Sequence, residues 1–174
     1  MQESHRLDTA HPIFLYVGRV AVEKNVEAFL KLDLPGSKWV VGDGPALAGL
    51  RAQYPDAHYL GVMKQPELAE VYAAADVFVF PSKTDTFGLV LLEAMACGLP
   101  VAAYPVTGPI DVLGDSPAGV MHSDLRQACL AALDIDRRTA RAHAEKFSWR
   151  AATEQFVGHL HPAMPETLPQ AARA

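Results

Sequence analysis

The sequence predicts one α/β domain in which helices cover both faces of an open parallel sheet. Two observations support this fold class. Short, continuously apolar runs, typical of strands buried on both faces, alternate along the chain with segments of helical periodicity. The 174 residues are half apolar and 20% charged, which suits one globular domain with its own core. Such alternation predicts a Rossmann-like arrangement.

The first half of the chain contains three predicted strands, each followed by a predicted helix. The strands are expected at 13–17, 39–41 and, more weakly, 58–60. The helices are expected at 23–32, 46–53 and 66–75, the last with Pro66 at its first position.

The second half continues the same pattern. Strands are expected at 77–80, 99–103 and 119–121, and a helix at 88–97 is closed by Gly98. From residue 125 to 156 the pattern predicts helix only.

Charge and cysteine content exclude several classes of protein. A net charge of −5 argues against a nucleic-acid partner held by a broad basic surface. Cys97 and Cys129 form no CxxC pair, so we expect reduced thiols. Residues 1–12 contain no apolar signal segment, and the apolar stretch 88–104 is interrupted by charge, glycine and proline. We therefore expect a cytoplasmic protein without a transmembrane segment.

Glycine, proline and short polar residues concentrate where the predicted strands end. These segments are 18–19, 42–45, 81–83 and 104–105. Because open parallel sheets bind ligands beyond the carboxyl ends of their strands, we expect function at this edge.

The segment 81–100 carries three candidate site residues. Gly88 opens a predicted helix just after a strand end, where free N–H groups favour a phosphate. The apolar pattern predicts that this helix is buried, and Glu93 is a lone carboxylate on it. A ribose diol would offer that carboxylate hydrogen-bond donors. Asp85, on the preceding turn, would flank the same crevice. The competing interpretation is that Glu93 forms an ion pair and Asp85 caps the helix.

Two cations belong to the same edge. Arg19 follows the first predicted strand, and Lys24 lies near the start of the next helix, where positive charge is unfavourable. A diphosphate between two helix termini would compensate that charge. For Lys24 taken alone, a solvated surface lysine is the competing interpretation.

Five motifs occur in order from about residue 13 to residue 160. They are Gly18-Arg19 with Glu23-Lys24-Asn25, Gly42-Asp43-Gly44-Pro45, Asp85-Thr86-Phe87-Gly88 with Glu93-Ala94, Gly98-Leu99-Pro100-Val101, and Phe147-Ser148-Trp149. The set resembles the C-terminal, nucleotide-sugar-binding domain of a family 4 (group 1) glycosyltransferase with the GT-B fold.

The resemblance implies a donor-binding site and a reaction. Arg19 and Lys24, beside Gly18, would neutralise the donor diphosphate, and these two cations with Asp85 would be the catalytic residues. The reaction would be retaining transfer of a hexose-type sugar from a UDP- or GDP-sugar to an unknown acceptor. No metal and no other cofactor would be needed.

The resemblance also implies contacts to the rest of the donor. Asp85 would contact the transferred sugar and Glu93 the ribose hydroxyls. The backbone of Phe87, Gly88 and Leu89 would meet sugar and phosphate, and Val62 would lie beside the base.

Two features depart from the family pattern. Asp85 stands where the family usually has Glu, which shortens the reach of the carboxylate by about one ångström. No segment matches the N-terminal acceptor domain of complete GT-B enzymes. We therefore expect a linker at 1–12, the donor domain at 13–161 and a loose tail at 162–174. The isolated chain would be inactive without the acceptor lobe, and any peripheral membrane contact would be made through that lobe.

Two alternative functions stay open. A catalytically incomplete nucleotide-binding module, or a truncated product needing a partner lobe, would bind a nucleotide without transferring sugar. A sugar-nucleotide epimerase with a related two-lobed architecture would be recognised by its products from UDP-GlcNAc.

Other motifs carry less weight. The segment from Gly42 has Leu47 where a GxGxxG dinucleotide fingerprint needs its third glycine, which argues against NAD binding. The segment 134–136 has the letters of a metal-binding DxD but lies away from the ligand edge, and His159 and His161 lack a third zinc ligand. Cys97 is interpreted as a packing residue.

Overall fold

A six-stranded parallel sheet organises the domain. The computed structural model describes residues 11–85 and 88–147. Within these ranges the strand order is β3-β2-β1-β4-β5-β6, and every described pairing is parallel. The strands are β1 (Ile13–Val17), β2 (Ser37–Val41), β3 (His58–Gly61), β4 (Val77–Phe80), β5 (Val101–Ala103) and β6 (Gly119–Met121). This is the strand order of a doubly wound α/β domain, so the predicted fold class is confirmed.

Helices cover both faces of the sheet, because side chains alternate between the faces along each strand. In β1, Ile13 and Leu15 belong to one buried cluster, whereas Phe14 and Tyr16 belong to the other. The first cluster contains residues of α3 (Glu67–Ala74), α4 (Leu89–Ala96), α5 (Thr107–Leu113) and α7 (Arg137–Ala144). The second contains residues of α1 (Val26–Leu30), α2 (Leu47–Gln53) and α6 (Leu125–Ala132).

The helix predicted at 23–32 is interrupted. A 3₁₀ turn (Val22–Lys24) ends at Asn25, whose left-handed φ of 55° separates it from α1. Asn25 also donates a side-chain hydrogen bond to the carbonyl of Pro81, 3.0 Å away. The continuous helix was therefore wrong, because a tertiary contact and the tolerance of Asn for left-handed backbone outweigh the helical periodicity.

Two further boundaries differ from the prediction. Helix α5 was not predicted, because Gly108 and Pro109 are usually helix breakers; both lie in its first turn, where proline is tolerated. The helix predicted from residue 125 is divided, because the side chain of Asp136 accepts a hydrogen bond from the backbone N–H of Arg138 and begins α7. The rest of the predicted helix beyond residue 147 lies outside the described residues.

The loops that follow β1 and β2 lie in direct backbone contact. The N–H of Gly18 donates to the carbonyl of Val41 at 3.0 Å, and the N–H of Val20 donates to that of Asp43 at 2.9 Å. A Cβ atom on Gly42, where φ is +130°, would lie 1.9 Å from the carbonyl oxygen of Gly18. The Gly42-Asp43-Gly44 motif is therefore explained by this close approach of two loops.

We predict that Gly42→Ala lowers the free energy of unfolding by about 2–4 kcal/mol, because it adds both a backbone clash and φ strain. Gly49→Ala is the matched control, since Gly49 lies in α2 and its Cβ would meet no atom within 4 Å. That change should raise the free energy of unfolding by up to about 1 kcal/mol. Urea unfolding measures both, and equal effects would contradict the proposed contact.

Candidate functional site

A cleft of about 440 Å³ opens at the carboxyl ends of β1 and β4. In this strand order the chain proceeds from β1 toward one edge of the sheet and from β4 toward the other, so the loops diverge here. The lining residues come from the ends of these two strands, from the loops that follow them and from α4. They are Tyr16, Val17, Gly18, Arg19, Lys24, Phe80, Ser82, Asp85, Gly88, Leu89, Val90 and Glu93.

The loop after β1 supplies the two cations. The guanidinium of Arg19 is 65% exposed and lies 3.4 Å from a carboxylate oxygen of Glu23. Its backbone carbonyl accepts a hydrogen bond from the hydroxyl of Tyr16 at 2.8 Å. The buried ring of Tyr16 thereby ties the Gly18-Arg19 turn to the core.

Lys24 reaches across the cleft to Asp85. Its ammonium donates to Asp85 Oδ1, and both side chains are less than one-third exposed. The bond from Asn25 to Pro81 holds the β1 loop against the β4 loop, which places these two opposite charges together. Lys24 is thus paired inside the cleft and is not a solvated surface lysine.

The start of α4 presents backbone N–H groups to the same cleft. Gly88 precedes the helix with a φ of 80°, and Leu89 and Val90 follow it in the lining. The first backbone N–H groups of a helix have no intrahelical acceptor, and they are directed outward beyond its N-terminal end. This end of α4 therefore carries free donors and a partial positive charge, which favour an anion.

Glu93 differs from its predicted environment. The prediction placed it on a buried helix, but Glu93 is exposed at the cleft, and so is Leu89. The apolar pattern of α4 was misleading because the open cleft leaves part of this helix uncovered. One Glu93 oxygen lies 3.4 Å from the hydroxyl of the fully buried Tyr72, whose pKa is raised by burial and then by the nearby Glu93 charge.

Most of the predicted site residues come together in this cleft. Gly18, Arg19, Lys24, Asp85, Gly88, Leu89 and Glu93 all line it. Val62 does not; it is 71% exposed on the loop after β3, two strands from β1. Phe87 lies outside the described residues, as do Ser148, Trp149, His159 and His161.

Sequence reasoning missed Tyr16 and Ser82. Tyr16 looks like an ordinary member of an apolar strand, so nothing in the pattern indicates where its hydroxyl goes. Ser82 follows a strand end, a weak signal, and the structure shows it 1% exposed in the lining with the N–H of Thr84 3.5 Å from its hydroxyl.

The other chemical motifs lie elsewhere. Asp136 of the 134–136 segment caps α7. Cys97 and Cys129 are free thiols, and burial is the main cause that raises the pKa of each, to about 12 for Cys129. In the part of the chain that the structure describes, no three His, Cys, Asp or Glu side chains form a group suited to a metal ion. None of the helices described there is long and apolar enough to span a bilayer.

The doubly wound sheet defines a Rossmann-like domain, and its charged cleft lies at the switch point between β1 and β4. Residues 11–134 match the family model described as "Glycosyl transferases group 1". The chain therefore belongs to the group 1 glycosyltransferases, and the family predicted from the five motifs is confirmed.

Comparisons with individual proteins agree with this family assignment. Sulfoquinovosyl transferase SQD2 of Arabidopsis thaliana is 34% identical over 171 residues, which cover 87% of this chain and 34% of that protein. A GDP-mannose-dependent alpha-mannosyltransferase of Mycobacterium tuberculosis (strain CDC 1551 / Oshkosh) is 34% identical over 172 residues, covering 92% and 46%. The chain thus spans less than half the length of these relatives.

A solved structure shows the same fold. The pneumococcal O-GlcNAc transferase GtfA, in complex with UDP and GlcNAc, matches with a TM-score of 0.65 and 20% identity. The match covers 86% of this chain and 35% of that chain. At this level of identity the likeness concerns the fold alone.

We predict that Tyr16→Phe lowers the free energy of unfolding at pH 7 by about 1 kcal/mol, because the Arg19 carbonyl loses its donor. Burial, and then the charges of Asp85 and Glu23, raise the pKa of Tyr16 above its ordinary value. The folded protein therefore keeps this proton to higher pH than the unfolded chain, and stability falls as pH rises above about 10.

The same substitution should make the loss of stability above about pH 10 less steep, because Phe has no proton to lose. Chemical unfolding between pH 7 and pH 11 measures both effects. An unchanged alkaline slope, or no loss of stability at pH 7, would show that this hydroxyl is not held as described.

Proposed function

We propose that this domain is the donor-binding half of a retaining, metal-independent glycosyltransferase that uses a UDP- or GDP-sugar. The observation that carries the proposal is the convergence of Arg19, Lys24, Asp85 and Glu93 on one cleft at the N-terminus of α4. Two cations and a helix N-terminus suit a diphosphate, and two carboxylates suit the hydroxyl groups on either side of it.

The diphosphate is proposed to lie between Arg19, Lys24 and the first amides of α4. Arg19 is largely exposed, so it can turn from Glu23 toward a ligand. Lys24 is less exposed, and its interaction with an anion is correspondingly less screened by water. Glycine suits position 88 because φ is +80° there and a Cβ atom would lie 3.2 Å from the side chain of Leu91 and 3.3 Å from that of Phe80.

The nucleoside is proposed to extend from the diphosphate past Glu93. An exposed carboxylate can accept hydrogen bonds from both hydroxyls of a ribose without first being desolvated by the protein. The hydroxyl of Tyr72 donates to one carboxylate oxygen of Glu93, at 3.4 Å. Val62 presents an apolar surface farther along the same edge, which suits a contact with the base.

The sugar is proposed to lie beside Asp85, where its bond to the diphosphate breaks. The electron pair of that bond passes to the departing phosphate oxygen. A hydroxyl of the acceptor forms the new glycosidic bond and transfers its proton to that phosphate oxygen. Arg19, Lys24 and the α4 amides stabilise the charge that develops on the diphosphate. The acceptor would be presented by a second lobe, as in the GT-B architecture that the motifs resemble.

The names of the related proteins support this donor class. One relative is GDP-mannose-dependent, and the structure of GtfA contains UDP. Retention and independence of metal rest on the family resemblance. The identity of the base and of the sugar is a matter for direct titration.

We predict that Lys24→Ala weakens the binding of UDP or GDP by roughly 10- to 100-fold, the value of a charge-assisted hydrogen bond. Glu93→Ala should weaken the nucleotides but not inorganic pyrophosphate, because Glu93 is assigned to the ribose. Calorimetry in the presence of EDTA measures all of these affinities with the 174-residue chain.

Lys31→Ala is the matched control, since Lys31 is an exposed lysine just after α1 that pairs with Glu27. It should leave every affinity within about twofold of the wild type. Equal binding by wild type, Lys24→Ala and Glu93→Ala would end the site assignment. Binding that requires added Mg²⁺ would contradict the metal-independent part of the proposal.

A second candidate is a nucleotide-binding module that is catalytically incomplete by itself. The observation in its favour is the coverage of 34% and 46% of the two relatives. We predict that the 174-residue chain binds its nucleotide sugar but does not release nucleoside diphosphate from it, with or without simple sugar acceptors. Release above the buffer rate, lost in Lys24→Ala, would instead show that the chain is a complete catalyst.

A further inference from the structure

The cleft carries balanced charge. Among the described residues that line it, Arg19 and Lys24 are the cations, and Asp85 and Glu93 are the anions. Each cation already has an acidic neighbour: Glu23 lies 3.4 Å from Arg19, and Asp85 accepts a hydrogen bond from Lys24. A diphosphate that enters must therefore compete with protein carboxylates for positive charge.

The two ion pairs differ in how strongly they compete. Arg19 and Glu23 are 65% and 51% exposed, so water screens their attraction and the pair separates at little cost. Lys24 and Asp85 are 28% and 22% exposed, and they join two different loops that the bond from Asn25 to Pro81 holds together. The Lys24–Asp85 pair is the stronger competitor.

On the basis of the proposed function, we infer that Asp85 makes the cleft select a nucleoside diphosphate that carries a sugar over the free nucleoside diphosphate. Asp85 does this by pairing with Lys24, so that a diphosphate has to compete with Asp85 for that cation.

The selection follows from what each ligand offers Asp85. A free diphosphate shares the single positive charge of Lys24 with Asp85. The negative charge of Asp85 is then less neutralised and repels the phosphate, which weakens binding. A sugar on the diphosphate brings hydroxyl groups that donate to Asp85, which replaces the donor that the phosphate has drawn away. Free nucleoside diphosphate is the by-product of transfer, so the same arrangement favours its release.

The test compares Asp85→Asn with the wild-type chain, using UDP, UDP-glucose, GDP and GDP-mannose in calorimetry. Asn keeps the shape of Asp but removes its charge. Asp85→Asn should bind the free nucleoside diphosphate about tenfold more tightly than wild type, and the matching nucleotide sugar no more tightly. The measured quantity is the ratio of the two affinities. A general structural effect would weaken both ligands alike and leave that ratio unchanged.

Two further variants make the result specific. Glu23→Gln removes the other acidic partner of a cleft cation, and the affinity ratio should stay within about twofold of wild type because that pair is exposed. Asp85→Glu keeps the charge, so it should keep the wild-type preference for the sugar-bearing nucleotide. Thermal unfolding of each variant confirms that it is folded.

The outcomes separate cleanly. A ratio that shifts toward the free nucleoside diphosphate in Asp85→Asn alone supports the inference, and a shift toward the nucleotide sugar overturns it. An unchanged ratio, the same change in Glu23→Gln, or the same change in Asp85→Glu overturns it while leaving the proposed donor site intact. If the wild-type chain binds none of the four ligands, the proposed function fails and this inference fails with it.

Discussion

The reversal of strand order between β1 and β4 is the constraint on which the rest of the structure depends. Loops that leave these neighbouring strands cross to opposite faces of the sheet, so their start cannot be covered by the fold itself. The charged residues of the β1 loop and the β4 loop therefore face each other across an opening. The hydrogen bond from Asn25 to the carbonyl of Pro81 joins these two loops.

Each of the two buried clusters contributes a tyrosine that forms a hydrogen bond to a residue of the cleft. Tyr16 packs in the cluster on one face of the sheet and Tyr72 in the cluster on the other, and both rings are buried. The hydroxyl of Tyr16 donates to the carbonyl of Arg19, and the hydroxyl of Tyr72 lies 3.4 Å from a carboxylate oxygen of Glu93. The apolar packing of the two rings thus determines where the hydroxyls of Tyr16 and Tyr72 lie.

Much of the site was predictable, because the carboxyl ends of parallel strands meet at one edge whatever the details of the loops. Arg19, Lys24, Asp85 and Gly88 were predicted from their places near strand ends, and Glu93 was predicted as a lone carboxylate on an apolar helix; all of them line one cleft. The environment of Glu93 was not predictable. An apolar sequence pattern predicts a buried helix, and only the tertiary structure shows that the cleft exposes part of α4.

The sequence by itself determined the parallel sheet, the alternation of helices and the family, because apolar periodicity and ordered motifs are local properties of the chain. Only the tertiary structure decided that Lys24 pairs with Asp85, 61 positions away, and that Gly42 lies against Gly18. Contacts between distant segments depend on distances of a few ångströms, which no local pattern specifies. The charge balance of the cleft arises from such contacts.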